Sequence, residues 1–138
     1  MAANTTPIFI LTPNNALART SAANTASDGS GSLVTLVSAG TNGTRVDAVR
    51  FRSSESGLTA SSAMVHRIFL TDNSSNYKLV GEVATAAGAK SATVVGATSI
   101  YTFDQPLIMK AGTTMSVAQS VFAGQQDQFD VQAFAGDY

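Results

Sequence analysis

No cysteine occurs among the 138 residues of this chain, which excludes a disulfide framework and a thiolate metal site and leaves stability to packing or association. Charge is scarce as well: Lys, Arg, Asp and Glu make up 12% of the sequence, about half the usual share. Eight basic and nine acidic residues leave a net charge of −1, and no stretch gathers the Lys and Arg that a phosphate backbone requires, so nucleic acid is not expected as a partner. Long apolar runs are missing too. Nothing approaches the ~20 residues that span a bilayer. Met1 to Thr6 lacks the positive region of a signal peptide, and Ile8 to Leu11 is too short for its apolar region. These absences predict a soluble protein made in the cytoplasm, with no membrane partner and a neutral exterior that tolerates close packing against neighbours.

What the chain does contain is a series of short apolar segments rich in β-branched and aromatic residues, separated by clusters of Gly, Ser, Asn and Asp. This pattern predicts one all-β domain, a sandwich or barrel. The expected strands are Ile8 to Leu11, Leu17 to Ala22, Ser32 to Ser38, Thr44 to Ser53, Met64 to Thr71, Tyr77 to Thr85, Ala92 to Phe103, Thr114 to Val121 and Phe129 to Ala135. Asn14 to Thr25, Ala-rich but studded with Asn, Ser and Thr, leaves a short helix open. Asn42-Gly43 is expected to close a type I′ hairpin between the third and fourth strands, with Asp28-Gly29 and Ala111-Gly112 as further turns and Asp72 to Asn76 as a polar loop. Alternation sets Met64, His66, Ile68 and Leu70 toward the core, and groups Tyr77, Leu79, Gly81 and Val83 on one face of the next strand.

Little in the chain suggests chemistry. His66, the only histidine, sits mid-strand among apolar residues with no acid or nucleophile tied to it by a motif, and is expected to be a packed, hydrogen-bonded ring. A lone histidine without cysteine cannot build a zinc site. Asp127 and Asp130 read as charged turn residues. The polar run from Asp72 to Asn76 lacks the spacing, glycine and closing Glu of a calcium loop. Gly29-Ser30-Gly31 precedes a strand, where a phosphate cradle needs a helix. Neither an enzyme, a cofactor nor a metal is therefore expected. Arg50 and Arg52 share strand parity and Arg45 does not, and the three are read as a solvated or interface face. Phe122, Phe129, Phe134, Tyr101 and Tyr138 are expected to be mostly core, although a carbohydrate-binding sandwich, with a site assembled from dispersed residues, stays open.

The N-terminal Ile8, Phe9, Ile10 and Leu11 are bracketed by Pro7 and Pro13, which suits an edge strand or an arm. Residues 1–15 are read as an extended arm and 16–138 as the sandwich domain. The arm either closes its own sandwich or lies across an adjacent subunit. Ile8, Phe9, Ile10 and Leu11, with Arg45, Arg50 and Arg52, are the expected interface residues.

The order of features resembles small virion structural proteins of tailed bacteriophages. The resemblance is carried by Asp28-Gly29-Ser30-Gly31 before Leu33-Val34-Thr35, Ala39 to Asp47 with Val49-Arg50, and Arg67-Ile68-Phe69-Leu70 before Asp72. It continues in Tyr77-Lys78-Leu79 with Glu82-Val83, Leu107-Ile108 before Ala111-Gly112, and the closing Phe129 to Tyr138. It implies a jelly-roll-like antiparallel β-sandwich of about eight strands. It also implies a capsid decoration or cement protein, commonly a homotrimer, that is made in the host cytoplasm and binds the major capsid protein on the virion surface. A tail, fibre or baseplate component is the alternative within the same virion. No active-site residue is carried over by the resemblance.

Overall fold

A computed structural model describes residues 9–54, 59–72 (for Asp72 the backbone only) and 76–138. Nine strands appear: β1 (Thr12–Asn14), β2 (Leu17–Thr20), β3 (Val34–Ser38), β4 (Thr44–Ser53), β5 (Met64–Asp72), β6 (Tyr77–Thr85), β7 (Thr98–Met109), β8 (Thr113–Gln119) and β9 (Phe129–Asp137). They form two antiparallel sheets, one of five strands in the order β1-β9-β4-β7 with β2 also on β9, the other of four in the order β3-β8-β5-β6. β1 and β2 run along β9 in succession and act as one interrupted edge strand. The pairs β2–β9, β3–β8, β4–β7 and β5–β6 are then nested one inside the next, the folded antiparallel ribbon of a jelly roll. The all-β sandwich expected from the sequence is what the chain forms.

Each sheet turns an apolar face inward, and the core between them is built on Val37, Val46, Val49, Phe51, Ile68, Met109, Met115, Val117, Phe129 and Val131. Strand alternation explains most of this. β-Bulges explain the rest: in β3 the extra residue Leu36 lets neighbouring Leu36 and Val37 both be buried, and two more act in β4 and β6. In β4, Val46 faces Ala135 of β9 and Ala48 faces Phe134, so Asp47 is an extra residue; Val46 and Val49, three apart, both reach the core. In β6, Ile68 faces Gly81 and Phe69 faces Leu79, so Val80 is the extra residue and turns toward the core, while Leu79 is left outside. The expected grouping of Leu79 with Gly81 and Val83 fails for that reason.

Local turn signals mark reversals correctly but not the plane in which they occur. Gly43 takes φ +98° and its N–H bonds Gly40 O at 3.0 Å, yet this turn joins β3 of one sheet to β4 of the other and closes no hairpin. Both flanking segments have one apolar face, and stacking them across the core buries both. The Gly112 turn passes from β7 to β8 in the same way. Only β5 and β6, flanking the expected polar loop, form an in-plane hairpin among consecutive strands; residues 73–75 of that loop lie outside the described residues.

Several strand boundaries also move. No strand covers Phe9 to Leu11, and Ile8 lies outside the described residues. The chain nevertheless joins its own sheet early, with Leu11 N–H bonding Asp137 O at 2.9 Å, and Pro13 sits on the edge strand, where its missing donor costs nothing. The stretch left open as a helix holds β2. The strand expected from Ala92 begins at Thr98, because Ser91 and Val94 bond each other across a tight turn. It continues through Pro106 because residues 103–106 bulge opposite Asp47 alone, so no ladder bond is asked of the proline.

The two outer faces are treated differently. Residues 21–33 fold over the outside of the four-stranded sheet: Asn24 N–H bonds Gln119 O at 2.7 Å, Arg67 Nη1 donates to Asn24 O at 3.4 Å, and Gly29 lies so close to Tyr77 that a Cβ there would sit 2.3 Å from the tyrosine Cβ. Phe69, on the same side as Arg67 and apart from the main core, is fully buried. No comparable segment among the described residues covers the other sheet.

Candidate docking face

The groups singled out for chemistry are structural. His66 is wholly buried, stacked on Phe51 at 4.2 Å and edge-on to Phe129 at 4.7 Å. Neither ring nitrogen has a hydrogen-bond partner among the described residues, so the expected hydrogen-bonded ring is instead an aromatic packing piece. Burial pushes its pKa down from 6.5 to about 4. Asp127 is no solvated turn residue either. It lies buried as the last residue of a 3-10 turn (Gln125–Asp127) and accepts bonds from Ser62 N–H at 2.7 Å, Ser62 Oγ at 3.1 Å and Ala123 N–H at 2.8 Å. Beside it, buried Gln119 accepts from Thr20 Oγ1 and donates to the carbonyls of Val121 and Asp127, both at 2.8 Å. This network ties loops to the sandwich end. Among the described residues no group of three or more His, Asp and Glu is placed to hold a metal ion, and no helix is long and apolar enough to cross a membrane.

The outside of the five-stranded sheet is different. Outward positions on β4 are Arg45, Ala48, Arg50 and Arg52, because the bulge at Asp47 shifts the alternation by one. Sequence parity separated Arg45 from the other two; the structure puts all three on one face. Across the ladder they meet Gln132 and Phe134 of β9, Leu17 of β2, and Ile100 and Ile108 of β7. Leu17, Ile100 and Ile108 are 68%, 51% and 57% exposed, and Phe134 39%. Ile10 of the arm packs over Gly136 at the same face, where a Cβ would come within 2.3 Å of its Cγ2. Phe9 and Leu11 beside it are largely exposed. From the sequence, most of a group of aromatics that includes Phe134 is expected to be core, and Leu17, Ile100 and Ile108 are not singled out as exposed. β7 alternates apolar residues on both sides, Ile100 against Tyr101, so pattern alone cannot tell its faces apart. Of the aromatics expected in the core, only Phe129 is fully buried.

Polar groups are ordered between these apolar ones. Arg19 grips Asp130 through Nε at 2.7 Å and Nη2 at 3.2 Å, and that hydrogen-bonded pair holds the Asp130 carboxyl below its usual range. Arg45 pairs with Asp47 at 2.8 Å. Arg50 donates to Gln132 Oε1 and lies 5.6 Å over the Phe134 ring. Arg52 is exposed and has no ion-pair partner among the described residues. Four arginines against Asp47, Asp130 and the exposed Asp104 of β7 leave a surplus of one positive charge here, on a chain whose net charge is −1. Such a surface offers apolar contact and directional cations, a combination suited to an acidic, partly apolar protein surface.

No protein-family model matches the chain, and no curated protein is significantly similar to it.

Proposed function

We propose that this chain is a structural adhesion protein, a capsid decoration or cement protein that docks the outside of its five-stranded sheet on the outer capsid surface and stabilises contacts between capsomers. The carrying observation is the bare face itself: Leu17, Ile100, Ile108, Phe134 and Ile10 share one side of a sheet with a surplus of positive charge. Exposed apolar side chains interspersed with arginines on one sheet face have the composition of a protein interaction surface. A double-layer β frame loses little entropy on docking. Many modest contacts per copy, repeated over a lattice or within a homotrimer, then stabilise the assembled particle by mass action. Jelly rolls recur in capsid and lectin domains, which supports the reading by analogy of fold, as does the sequence resemblance to phage virion proteins.

The test is co-sedimentation with capsids lacking the chain. Ile100→Glu and Phe134→Glu each weaken binding by at least about thirtyfold, the scale of an interface hot spot, while Thr35→Glu on the other sheet has no effect. Capsid binding untouched by both face variants would overturn the proposal, as would a strictly monomeric chain that binds no capsid. Density on the tail in particle images would move the chain to a fibre or baseplate role.

One observation favours a second reading. A dent of about 240 Å³ on this face is lined by Phe134 together with Asn14, Asn15, Asp47 and Gln132, an aromatic ring beside amides and a carboxylate, which complements a sugar ring. Glycan-array binding lost in Phe134→Ala would support this carbohydrate-binding alternative.

A further inference from the structure

The edges of the two sheets meet along β6 and β7, and the seam is closed over part of its length. Tyr101 Oη donates to Val80 O at 3.4 Å, the Tyr101 ring lies against Gly81, and the hydroxyls of Thr85 and Ser99 bond each other. Two irregularities mark where this contact ends: the bulge at Val80 and the excursion of residues 103–106 in β7. Beyond them a cleft of about 400 Å³ opens, walled by Leu70, Val80 and Ile108 and backed by the fully buried Met109. Lys78 and Lys110 stand at the same cleft. Both are exposed, and neither has an ion-pair partner among the described residues. Lys78 faces Leu70 in the register, so it occupies a core-side row and carries its stem along the apolar wall.

We infer that this cleft binds a small amphipathic anion, an alkyl carboxylate of medium length, with its chain among Leu70, Val80, Ile108 and Met109 and its head between Lys78 and Lys110. The volume falls in the range of small-molecule sites, which are apolar with a few placed polar groups. Met109 behind the walls is an adaptable side chain, which suits a flexible alkyl chain. Lys78 and Lys110 are the charged residues among the described lining, so an anionic head finds charge complementarity and an uncharged one leaves both ammonium groups unused. Ile108, at the sheet edge, is shared with the docking face, but Leu70, Val80, Lys78 and Lys110 are not, and the inference does not rest on the adhesion reading.

The experiment is a methyl NMR titration of the full chain with decanoate below its micelle concentration, with decanol and decyltrimethylammonium as comparison ligands. Saturable shifts at Leu70, Val80 and Met109, and affinity at least about tenfold weaker for the alcohol, the cation and the Lys78→Gln/Lys110→Gln double variant, are expected. Shifts that do not saturate, shifts confined to Leu17, Ile100 and Phe134, or equal affinity for decanol would overturn the inference. The double variant still sediments with capsids, so failure here and failure of the docking face are separate results.

Discussion

Replacing His66 with phenylalanine should flatten the response of stability to mild acid. The wild-type ring is fully buried against Phe51 and Phe129 with no hydrogen-bond partner among the described residues, and its pKa is pushed from 6.5 down to about 4 by burial. Between those two values the unfolded chain binds a proton that the native chain refuses. Stability therefore rises with pH across this window; the contribution is intact above pH 6.5 and is lost progressively as pH falls toward 4. Linkage gives a loss of roughly 2.5 kcal/mol between pH 7.5 and pH 4.5, approaching about 3 kcal/mol at lower pH. The carboxylates Asp28 and Asp130 have pKa values held below 3.8. Their contributions are present above that value and disappear only below it, so they do not enter the histidine window. Urea unfolding followed by far-ultraviolet circular dichroism at half-unit steps of pH measures the slope. His66→Phe keeps the aromatic stack, His66→Leu keeps only apolar volume, and both should lose most of the slope between pH 4.5 and 6.5 whatever their stability at neutral pH. A slope unchanged from wild type in both variants would refute the claim that a buried, unpartnered imidazole sets the acid response.

Other expectations concern packing and charge. Asp127→Ala strands two backbone donors and a hydroxyl at a buried position and should cost roughly 3 kcal/mol in urea unfolding, with Asp127→Asn recovering part of it. Gly81→Val meets the Tyr101 ring at 2.7 Å and should cost about 1–3 kcal/mol by prising the β6–β7 seam, a loss that Tyr101→Ala in the same chain relieves. Arg19→Ala should leave stability in urea unfolding nearly unchanged, since the pair is exposed and screened by solvent. Carboxyl NMR titration should nevertheless show the Asp130 pKa rising once its guanidinium partner is gone.

How far the sequence reveals the fold depends on what each signal measures. β4 and β6 begin and end where alternation and turn residues place them, because half-buried strands write their pleat into the sequence. Pairing is harder. A glycine turn such as Asn42-Gly43 reports a reversal of direction, and only the competition among all apolar faces decides whether the two segments lie in one sheet or stack across the core. Bulges are harder still. The extra residues Asp47 and Val80 carry no local mark, yet each reverses the parity of everything beyond it. That is why Arg45 was separated from Arg50 and Arg52. Burial of His66 was legible from its apolar neighbours, whereas its lack of partners was not, since the groups around it come from β4, β8 and β9.

The bulge at Asp47 also constrains what the bare face can mean. Val46 and Val49 are both required inside, and satisfying that demand turns Arg45 outward beside Arg50 and Arg52, so the inner core dictates the charge of the outer surface. Nothing inside dictates Leu17, Ile100, Ile108 and Phe134, which point away from the core. The other sheet's outer face is treated differently: residues 21–33 reach Arg67 and Tyr77 there, and Phe69 on that side is fully buried. Fully burying a large apolar side chain is worth about 1.5–3 kcal/mol. Leaving several half-bare on one face, while covering the opposite one, therefore forgoes several kcal/mol in the isolated chain. On the docking proposed above, a second surface closing over the arginines and the apolar side chains together would recover that deficit.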